Sequence, residues 1–337
     1  MSRPDCPRLI FWEITEQCNF ACTHCRRAQE QGRGLKTEDL RLILHHLSEW
    51  KGSLLLFTGG EPTLRQDLPD LANEASRLGL IPLLATNGAT MTAALASRLK
   101  SSGIDKASVS LLGDTPRTHD AKTGLEGSFL DVQRGVRLMQ DAGISVQINF
   151  VVTRSTAPLL KNLAEVAVNM RAVALHLFLF VPVGRGCALD EEELPRPDDL
   201  LRVFPETHRV AEKIPIPVRF TCCPQYLVYL KSKGLTPGIP VAGCGAGKSV
   251  LFISAQGRAY PCGYFPLEVG DLLKSTGPET WHGSELLRDL ADPNMLIQAC
   301  GSCPHRDLCG GCRARSFAAT GNPYGQDPLC PFVPKKT

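Results

Sequence analysis

Between residues 8 and 213, short β-forming runs alternate with amphipathic helical segments, and no other feature limits the possible folds so tightly. The predicted strands are Leu9 to Thr15, Ser53 to Phe57, Ile81 to Thr86, Ala107 to Leu112, Ser145 to Thr153 and Ala172 to Val181. Predicted helices lie near Thr37 to Trp50, Asp67 to Leu78, Thr92 to Ser101, Ser128 to Ala142 and Pro158 to Met170, several closed by a glycine such as Gly79, Gly103 or Gly143. Successive strand-helix units give a parallel sheet with right-handed crossovers. Strands such as Leu54-Leu-Leu-Phe57 are apolar throughout, as expected where helices cover one face and a barrel interior covers the other. Six units make an α/β partial barrel, a (β/α)6 rather than a closed ring of eight, and its functional groups belong at the C-terminal ends of the strands.

A proline-containing acidic stretch, Leu189 to Asp199, leads into one more helix, and from Ile214 the βα rhythm stops. Nine of the 14 cysteines fall beyond that point, among many glycines and prolines. We therefore expect two domains, 1–213 and 214–337, the second small, cysteine-rich and stapled by metal rather than by a large hydrophobic core. Lys+Arg 37 against Asp+Glu 34 gives a net charge of +3, which offers no basic field for nucleic acid, so an acidic ligand has to be met by local arginines. The longest apolar run, Ala172 to Val183, is interrupted by His176 and Pro182 and falls short of a membrane span. The N-terminus lacks the apolar core and cleavage site of a signal peptide, which predicts a cytoplasmic, reducing location and no membrane partner. In that setting clustered thiols serve as metal ligands rather than as disulfides.

Directly after the first strand stands Cys18-Asn-Phe-Ala-Cys22-Thr-His-Cys25, a C-x3-C-x2-C spacing. Three thiolates this close repel one another unless a cation or cluster neutralises them. An incomplete zinc site or a set of redox thiols would use the same residues, whereas a 4Fe-4S cube held by three thiolates keeps one iron open to an external ligand. Thr58-Gly59-Gly60-Glu61-Pro62 closes the second strand and alone would mark a tight turn. Together the two motifs resemble the radical S-adenosylmethionine (radical SAM) superfamily over roughly residues 8 to 213. The resemblance implies that Cys18, Cys22 and Cys25 hold the cluster, that SAM chelates its open iron, and that Gly59, Gly60, Glu61 and Pro62 pass near the methionine amino group. It further implies SAM contacts from strand ends, where Asn87, Ser110 and Asn149 are favoured over Ser108 and Thr153, and places His24 against the adenine. Many relatives carry Asp-Gly after the fourth strand, where this chain has Leu112-Gly113-Asp114. The chemistry implied is a 5′-deoxyadenosyl radical, formed with one electron from a low-potential donor such as flavodoxin or ferredoxin, that takes a hydrogen atom from substrate. No residue is assigned as a general acid or base.

A second array comprises Cys244, Gly257, Cys262, Cys300-x2-Cys303-x5-Cys309-x2-Cys312 and Cys330. Its C-x2-C-x5-C-x2-C segment alone reads as a zinc site. The whole array closely resembles the SPASM extension of radical SAM enzymes over roughly residues 220 to 331, which implies two auxiliary 4Fe-4S clusters and three clusters in all. Cys222 and Cys223, on a predicted strand from Arg219 to Pro224, point to opposite faces, so one of them is a ligand. The resemblance, at a Thr-Cys-x-Pro position, favours Cys222. It assigns Cys222, Cys244, Cys262 and Cys312 to one auxiliary cluster and Cys300, Cys303, Cys309 and Cys330 to the other. Cys6, Cys187 and Cys223 remain as ordinary thiols. Gly243 to Ser249 looks like a phosphate-binding loop, but the required first glycine is replaced by Ala242.

Several segments, among them Trp12-Glu13-x-Thr15, His24-Cys25-Arg26, Ala172 to Gly186, Thr221 to Gln225 and Cys309 to Arg315, look most like the radical SAM decarboxylases of the siroheme-dependent heme pathway. That resemblance implies conversion of two propionates of iron-coproporphyrin III to vinyl groups, giving heme b in an anaerobic cytoplasm. A flat apolar macrocycle with carboxylates needs an apolar cleft rimmed by arginines, for which Arg185, Arg219, Arg313 and Arg315 are candidates. His176 fits a core position as well as a substrate contact. The alternatives are a peptide-modifying or peptide-derived-cofactor maturase, which often adds an N-terminal recognition domain where this chain starts its first strand, and a related tetrapyrrole deacetylase. A non-enzymatic iron-sulfur carrier would need neither the GGEP motif nor the strand-end SAM positions.

Overall fold

The computed structural model of the protein describes residues 3–27, 34–235 and 243–333. Six parallel strands follow the predicted alternation: β1 (Leu9–Glu13), β2 (Leu54–Thr58), β3 (Ile81–Thr86), β4 (Lys106–Ser110), β5 (Ser145–Val152) and β6 (Leu175–Leu179). The intervening helices are α1 (Thr37–His46), α2 (Leu68–Arg77), α3 (Ala93–Ser101), α4 (Pro116–Thr123), α5 (Ser128–Asp141) and α6 (Leu160–Asn169), followed by α7 (Pro197–Lys213). Gly79, Gly103 and Gly143, just past α2, α3 and α5, take φ of +87°, +94° and +82°, the left-handed turn that lets the chain reverse into the next strand. Helix α4 was not among the predicted helices. It is short and polar and stands on a Thr115/Thr118 capping box rather than on an apolar stripe.

The sheet does not stop at β6. β7 (Val218–Thr221) pairs parallel with β6, and β8 (Val250–Ile253) pairs parallel with β1 at the opposite edge. β9 (Arg258–Tyr260) and β10 (Gly270–Asp271) then continue antiparallel, giving the order β10-β9-β8-β1-β2-β3-β4-β5-β6-β7. A six-stranded partial barrel leaves two edges of unpaired backbone groups, and strands from beyond residue 213 cover both. The predicted strand from Arg219 to Pro224 ends early, at Thr221, because Cys222 takes a left-handed φ of +57°.

The expectation of strands covered on both faces holds for one face only. In β5, Val146, Ile148, Phe150 and Val152 are buried under the helices, while Gln147, Asn149 and Val151 are half-buried on the open inner face. The large core packs Trp12 against Phe57 at a ring separation of 5.8 Å. A second, small apolar cluster joins Val181 to Phe265, Leu290, Cys312 and Ala314 of the cysteine-rich region. The remaining helices of that region are α8 (Gln225–Ser232), α9 (Gly277–Gly283), α10 (Glu285–Ala291), α11 (Gln298–Gly301) and α12 (Arg313–Thr320). Among the described residues no helix is long and apolar enough to cross a membrane.

Candidate functional site

The loop after β1 and the glycine pair after β2 are one structural unit. Gly60 N–H donates to the Thr15 carbonyl at 2.8 Å and Glu61 N–H to the Gln17 carbonyl at 2.7 Å. A Cβ on Gly59 would stand 2.5 Å from the Thr15 carbonyl, and one on Gly60 would fall on the Gln17 carbonyl, so the glycines permit a close approach rather than a positive-φ turn. The segment they hold leads straight into Cys18. Glu61, fully buried, accepts Thr63 N–H at 3.1 Å, the Thr63 hydroxyl at 2.6 Å, the Thr86 hydroxyl at 2.6 Å and Asn87 N–H at 2.7 Å. Burial raises its pKa against those four bonds. Its carboxylate therefore ties the ends of β2 and β3 together and is not on the cavity wall; neither is Pro62.

A cavity of about 240 Å³ opens at the C-terminal ends of the strands. Cys18, Cys22 and Cys25 line it together with Gly59, Gly60, Thr86, Asn87, Ser110 and His24. Phe20 N–H donates to Cys18 Sγ at 3.4 Å. Burial pushes the Cys22 thiol up to about 12, with Cys25 and Cys18 adding to the shift, and raises Cys18 as well. These thiols therefore need a cationic partner to ionise, and a three-thiolate loop with N–H···S support beside a glycine cradle fits a cluster and its external ligand. Burial, with Lys122 and Arg185 nearby, lowers His24 to about 4, so its imidazole is neutral. Asn149 shares the inner face but does not reach the cavity; it accepts from Gln147 Nε2 at 3.1 Å. Ser108 donates to the Leu84 carbonyl and Thr153 to Glu193, which are structural roles. Asp114 accepts from Thr118 and Asn162 at 3.0 Å each, away from the cavity.

Arg26 and Arg27, both paired with Glu13, and a run of apolar side chains, Leu112, Val151, Phe178, Phe180 and Val181, make up much of the remaining wall. Arg185 joins them, its backbone N–H donating to the Arg27 carbonyl at 3.1 Å and its Nε buried with no partner. Gly184, at φ +58°, packs where any Cβ would strike the Arg26 carbonyl, so the Gly184-Arg-Gly186 turn is fitted onto the cysteine loop.

The C-terminal thiols fall into two groups. Cys222, Cys244, Cys262 and Cys312 are electrostatic neighbours, as are Cys300, Cys303, Cys309 and Cys330. Burial raises the pKa values of Cys222 and Cys262, of Cys309 to about 12, and of Cys312 and Cys330 to about 11. His305 N–H donates to Cys303 Sγ and Gly311 N–H to Cys309 Sγ, each at 3.4 Å, and Cys244 N–H donates to the Cys309 carbonyl at 3.4 Å, joining the groups. Cys223, at 1% exposure, packs into the main core instead. Among the described residues, no three His, Cys, Asp or Glu side chains are arranged to hold a single metal ion.

Two of the arginines expected at a substrate are committed elsewhere. Arg315, buried, pairs with Asp327 at 2.8 Å and donates to the Phe180 and Cys222 carbonyls. Asp327 also accepts from Cys312 N–H and Gln225 Nε2 at 2.7 Å each. Burial alone would raise Asp327, but Arg315 and the hydrogen bonds hold it below the usual carboxylate range. Arg313 donates to the Pro323 and Gly325 carbonyls at 2.8 Å and to Cys300 Sγ at 3.8 Å. The Arg315 charge is met by Asp327, while Arg313 is turned onto backbone carbonyls and Cys300 with its Nε buried and unpartnered, and neither is on the cavity wall. Arg219, on β7, is off the cavity wall but on the inner face.

Comparison with known proteins agrees with this geometry. The radical SAM superfamily matches residues 12–165, and an iron-sulfur cluster-binding domain, SPASM, matches residues 244–304. An AdoMet-dependent heme synthase of Oleidesulfovibrio alaskensis is 33% identical, covering 99% of this chain and 89% of its own. The chain belongs to the radical SAM superfamily. Other relatives include a mycofactocin maturase, MftC, of Mycobacterium ulcerans, 32% identical over 97% of this chain and 88% of its own, and an Fe-coproporphyrin III synthase of Methanosarcina barkeri, 28% identical over 96% and 87%. Among solved structures, Streptococcus suis SuiB bound to its precursor peptide SuiA superposes with a TM-score of 0.77 at 16% identity, over 98% of this chain and 77% of that one. As a radical SAM enzyme with a SPASM domain, the protein uses SAM and iron-sulfur clusters.

Sequence reasoning missed several residues of this radical SAM site. Tyr264 lines the cavity and neighbours Cys222, Cys262 and Cys312, so it stands between the three-thiol loop and one auxiliary group. Arg26 pairs with Glu13 at 2.7 Å and lies over the Phe252 ring at 4.5 Å, joining the cysteine loop to β1 and β8. Its place beside Cys25 was the available signal. Asp327 had none, since its partner Arg315 is brought to it only by the fold.

Proposed function

We propose that the protein is an oxidative decarboxylase that converts two propionate side chains of iron-coproporphyrin III to vinyl groups, yielding heme b. The observation that carries this reading is the unpartnered, buried Arg185 Nε on the wall of a cavity that also carries Leu112, Val151, Phe178, Phe180 and Val181 beside the three-thiol loop. An apolar wall takes the face of a macrocycle, and a planar guanidinium takes a carboxylate in bidentate fashion. The heme synthase relatives, spanning nearly the whole chain, support the same substrate class.

In this reading Cys18, Cys22 and Cys25 hold the cluster that binds SAM, with Gly59, Gly60, Asn87, Ser110 and His24 around SAM. Cys222, Cys244, Cys262 and Cys312 hold one auxiliary 4Fe-4S cluster, and Cys300, Cys303, Cys309 and Cys330 the other, three clusters in all. Residues 1–213 supply the radical and 214–337 the auxiliary sites. When bound, SAM and its cluster supply a 5′-deoxyadenosyl radical on one-electron reduction by a low-potential donor. The chain's part is to hold one propionate β-carbon toward that radical through Arg185, to keep other C–H bonds away, and to exclude water with its apolar wall. Each propionate would give one hydrogen atom to that radical and release carbon dioxide and one electron, for which the auxiliary clusters held by the C-terminal thiols would be the acceptors.

A second reading, a peptide-derived-cofactor maturase, is favoured by the mycofactocin maturase relatives. Anaerobic incubation of the reconstituted enzyme with SAM, dithionite and either iron-coproporphyrin III or a candidate peptide, followed by mass spectrometry, separates them. We expect two successive losses of the elements of formic acid from the tetrapyrrole; modification of the peptide alone would reverse the assignment.

A further inference from the structure

The cysteine loop is hung on the end of α4. Ala21 N–H donates to the Thr123 carbonyl at 3.0 Å and Thr23 N–H to the Lys122 carbonyl at 3.2 Å. Both acceptors belong to the last turn of α4, where a helix leaves its carbonyls without partners of its own. Ala21 and Thr23 flank Cys22, so the helix grips the loop on either side of its middle thiol.

The same helix is fastened to the exit of β4. His119, fully buried in the middle of α4, accepts Leu112 N–H at 3.0 Å through Nδ1. Its ring meets the Phe129 ring edge-on at 5.6 Å and that of Phe20, a member of the cysteine loop, at 6.5 Å. A Cβ on Gly113 would fall on His119 N, so the turn out of β4 lies directly against the helix. Asp120 then fixes the start of α5, accepting Gly127 N–H at 2.7 Å, Phe129 N–H at 2.9 Å and the Ser128 hydroxyl at 2.8 Å. Phe20, Ser110 and Leu112 all line the cavity, whereas His119 does not. One helix therefore joins the thiol loop to the strand end that forms another part of the same wall.

The bond made by His119 adds no satisfied buried donor overall. With Nδ1 accepting, the proton sits on Nε2, which is buried with no partner. An apolar residue at 119 would leave Leu112 N–H unpaired in its place, so one buried donor is orphaned either way. What the imidazole adds is direction, a fixed link between α4 and β4 with its ring against Phe20.

We propose that His119 is a positioning residue for SAM: through α4 it sets the three-thiol loop at a fixed place relative to the β4 end of the cavity wall. This rests on the assignment of Cys18, Cys22 and Cys25 to the SAM cluster and is independent of the tetrapyrrole. An iron on the loop and a wall at Ser110 and Leu112 are two ends of one ligand site, and affinity is lost when either moves relative to the other.

The test is electron paramagnetic resonance of the dithionite-reduced, iron-loaded enzyme titrated with SAM, with the KM for SAM in 5′-deoxyadenosine formation measured in parallel. His119→Leu should raise the midpoint of the SAM-induced spectral change and the KM, roughly tenfold each, while kcat at saturating SAM and iron content stay near wild type. His119→Asn, whose Oδ1 can accept Leu112 N–H, should recover most of the loss. Thr115→Ala removes the cap at the exposed far end of α4 and should move both quantities the same way by about two- to threefold. An unchanged SAM midpoint in His119→Leu, or in Thr115→Ala if His119→Leu does not fold, would overturn the proposal. So would equal losses in His119→Leu and His119→Asn, which would make His119 a packing residue. A wild-type signal that does not respond to SAM would instead overturn the assignment of the three thiols on which the proposal rests.

Discussion

Gly60 shows how one missing side chain positions a site. Because a Cβ there would fall on the Gln17 carbonyl, Gly60→Ala must push the Thr15–Gln17 segment away and shift Cys18 with it. We expect at least a tenfold loss of 5′-deoxyadenosine formation, measured by chromatography, with the C-terminal thiol groups still loaded with iron. The Arg315–Asp327 pair acts at the same scale but on stability. Asp327→Asn strands a buried guanidinium and should cost about 3–5 kcal/mol in unfolding of the holoenzyme, whereas the paired change Arg315→Met with Asp327→Leu should cost less than the sum of its parts. His119 gives a pH dependence. Fully buried, it accepts Leu112 N–H at 3.0 Å, and burial lowers its pKa from 6.5 to about 4. The unfolded chain takes up the proton first, so this contribution is complete above pH 6.5 and is lost as pH falls toward about 4, by up to about 3 kcal/mol. In His119→Gln the fall of stability between those pH values should be shallower; a wild-type slope would contradict the assignment.

Elements carry the same logic further. The strand-end motifs were legible because each needs a particular residue type at a particular chain distance: three thiols in one loop, two glycines where backbones touch, and a glycine after α2, α3 and α5. Helix α4 was not legible, since a capping box on a short polar helix leaves no apolar period. Nor was the fate of Arg313 and Arg315, whose partners Pro323, Gly325 and Asp327 are set by the last turns of the fold. Cys222 and Cys223 do face different surroundings, yet through a left-handed turn rather than the pleat of a strand. The two thiol groups predict separable functions for the two cysteine arrays. Cys309→Ala should leave SAM cleavage at the first array largely intact while vinyl formation falls; undiminished vinyl yield would remove the second array from the reaction.

At the scale of the molecule, β7 and β8 close the edges of the partial barrel with strands from the cysteine-rich half, so that half cannot be treated as an appendage. This continuity brings Tyr264 from the cysteine-rich half to the cavity wall and sets Arg219 at the end of an inner-face row that begins at Ser110. Sequence pattern predicted the βα succession and a strand beginning at Arg219, but not these edge pairings, because a strand of four residues does not by itself name its neighbour in the sheet. We propose that the radical formed in this cavity removes a hydrogen atom from a propionate β-carbon. That step is tested most directly with iron-coproporphyrin III deuterated at those carbons, incubated anaerobically with the reconstituted enzyme, SAM and dithionite, and with the 5′-deoxyadenosine analysed by mass spectrometry. One deuterium is expected in each 5′-deoxyadenosine formed together with vinyl product; unlabelled 5′-deoxyadenosine beside an unchanged tetrapyrrole would rule this step out.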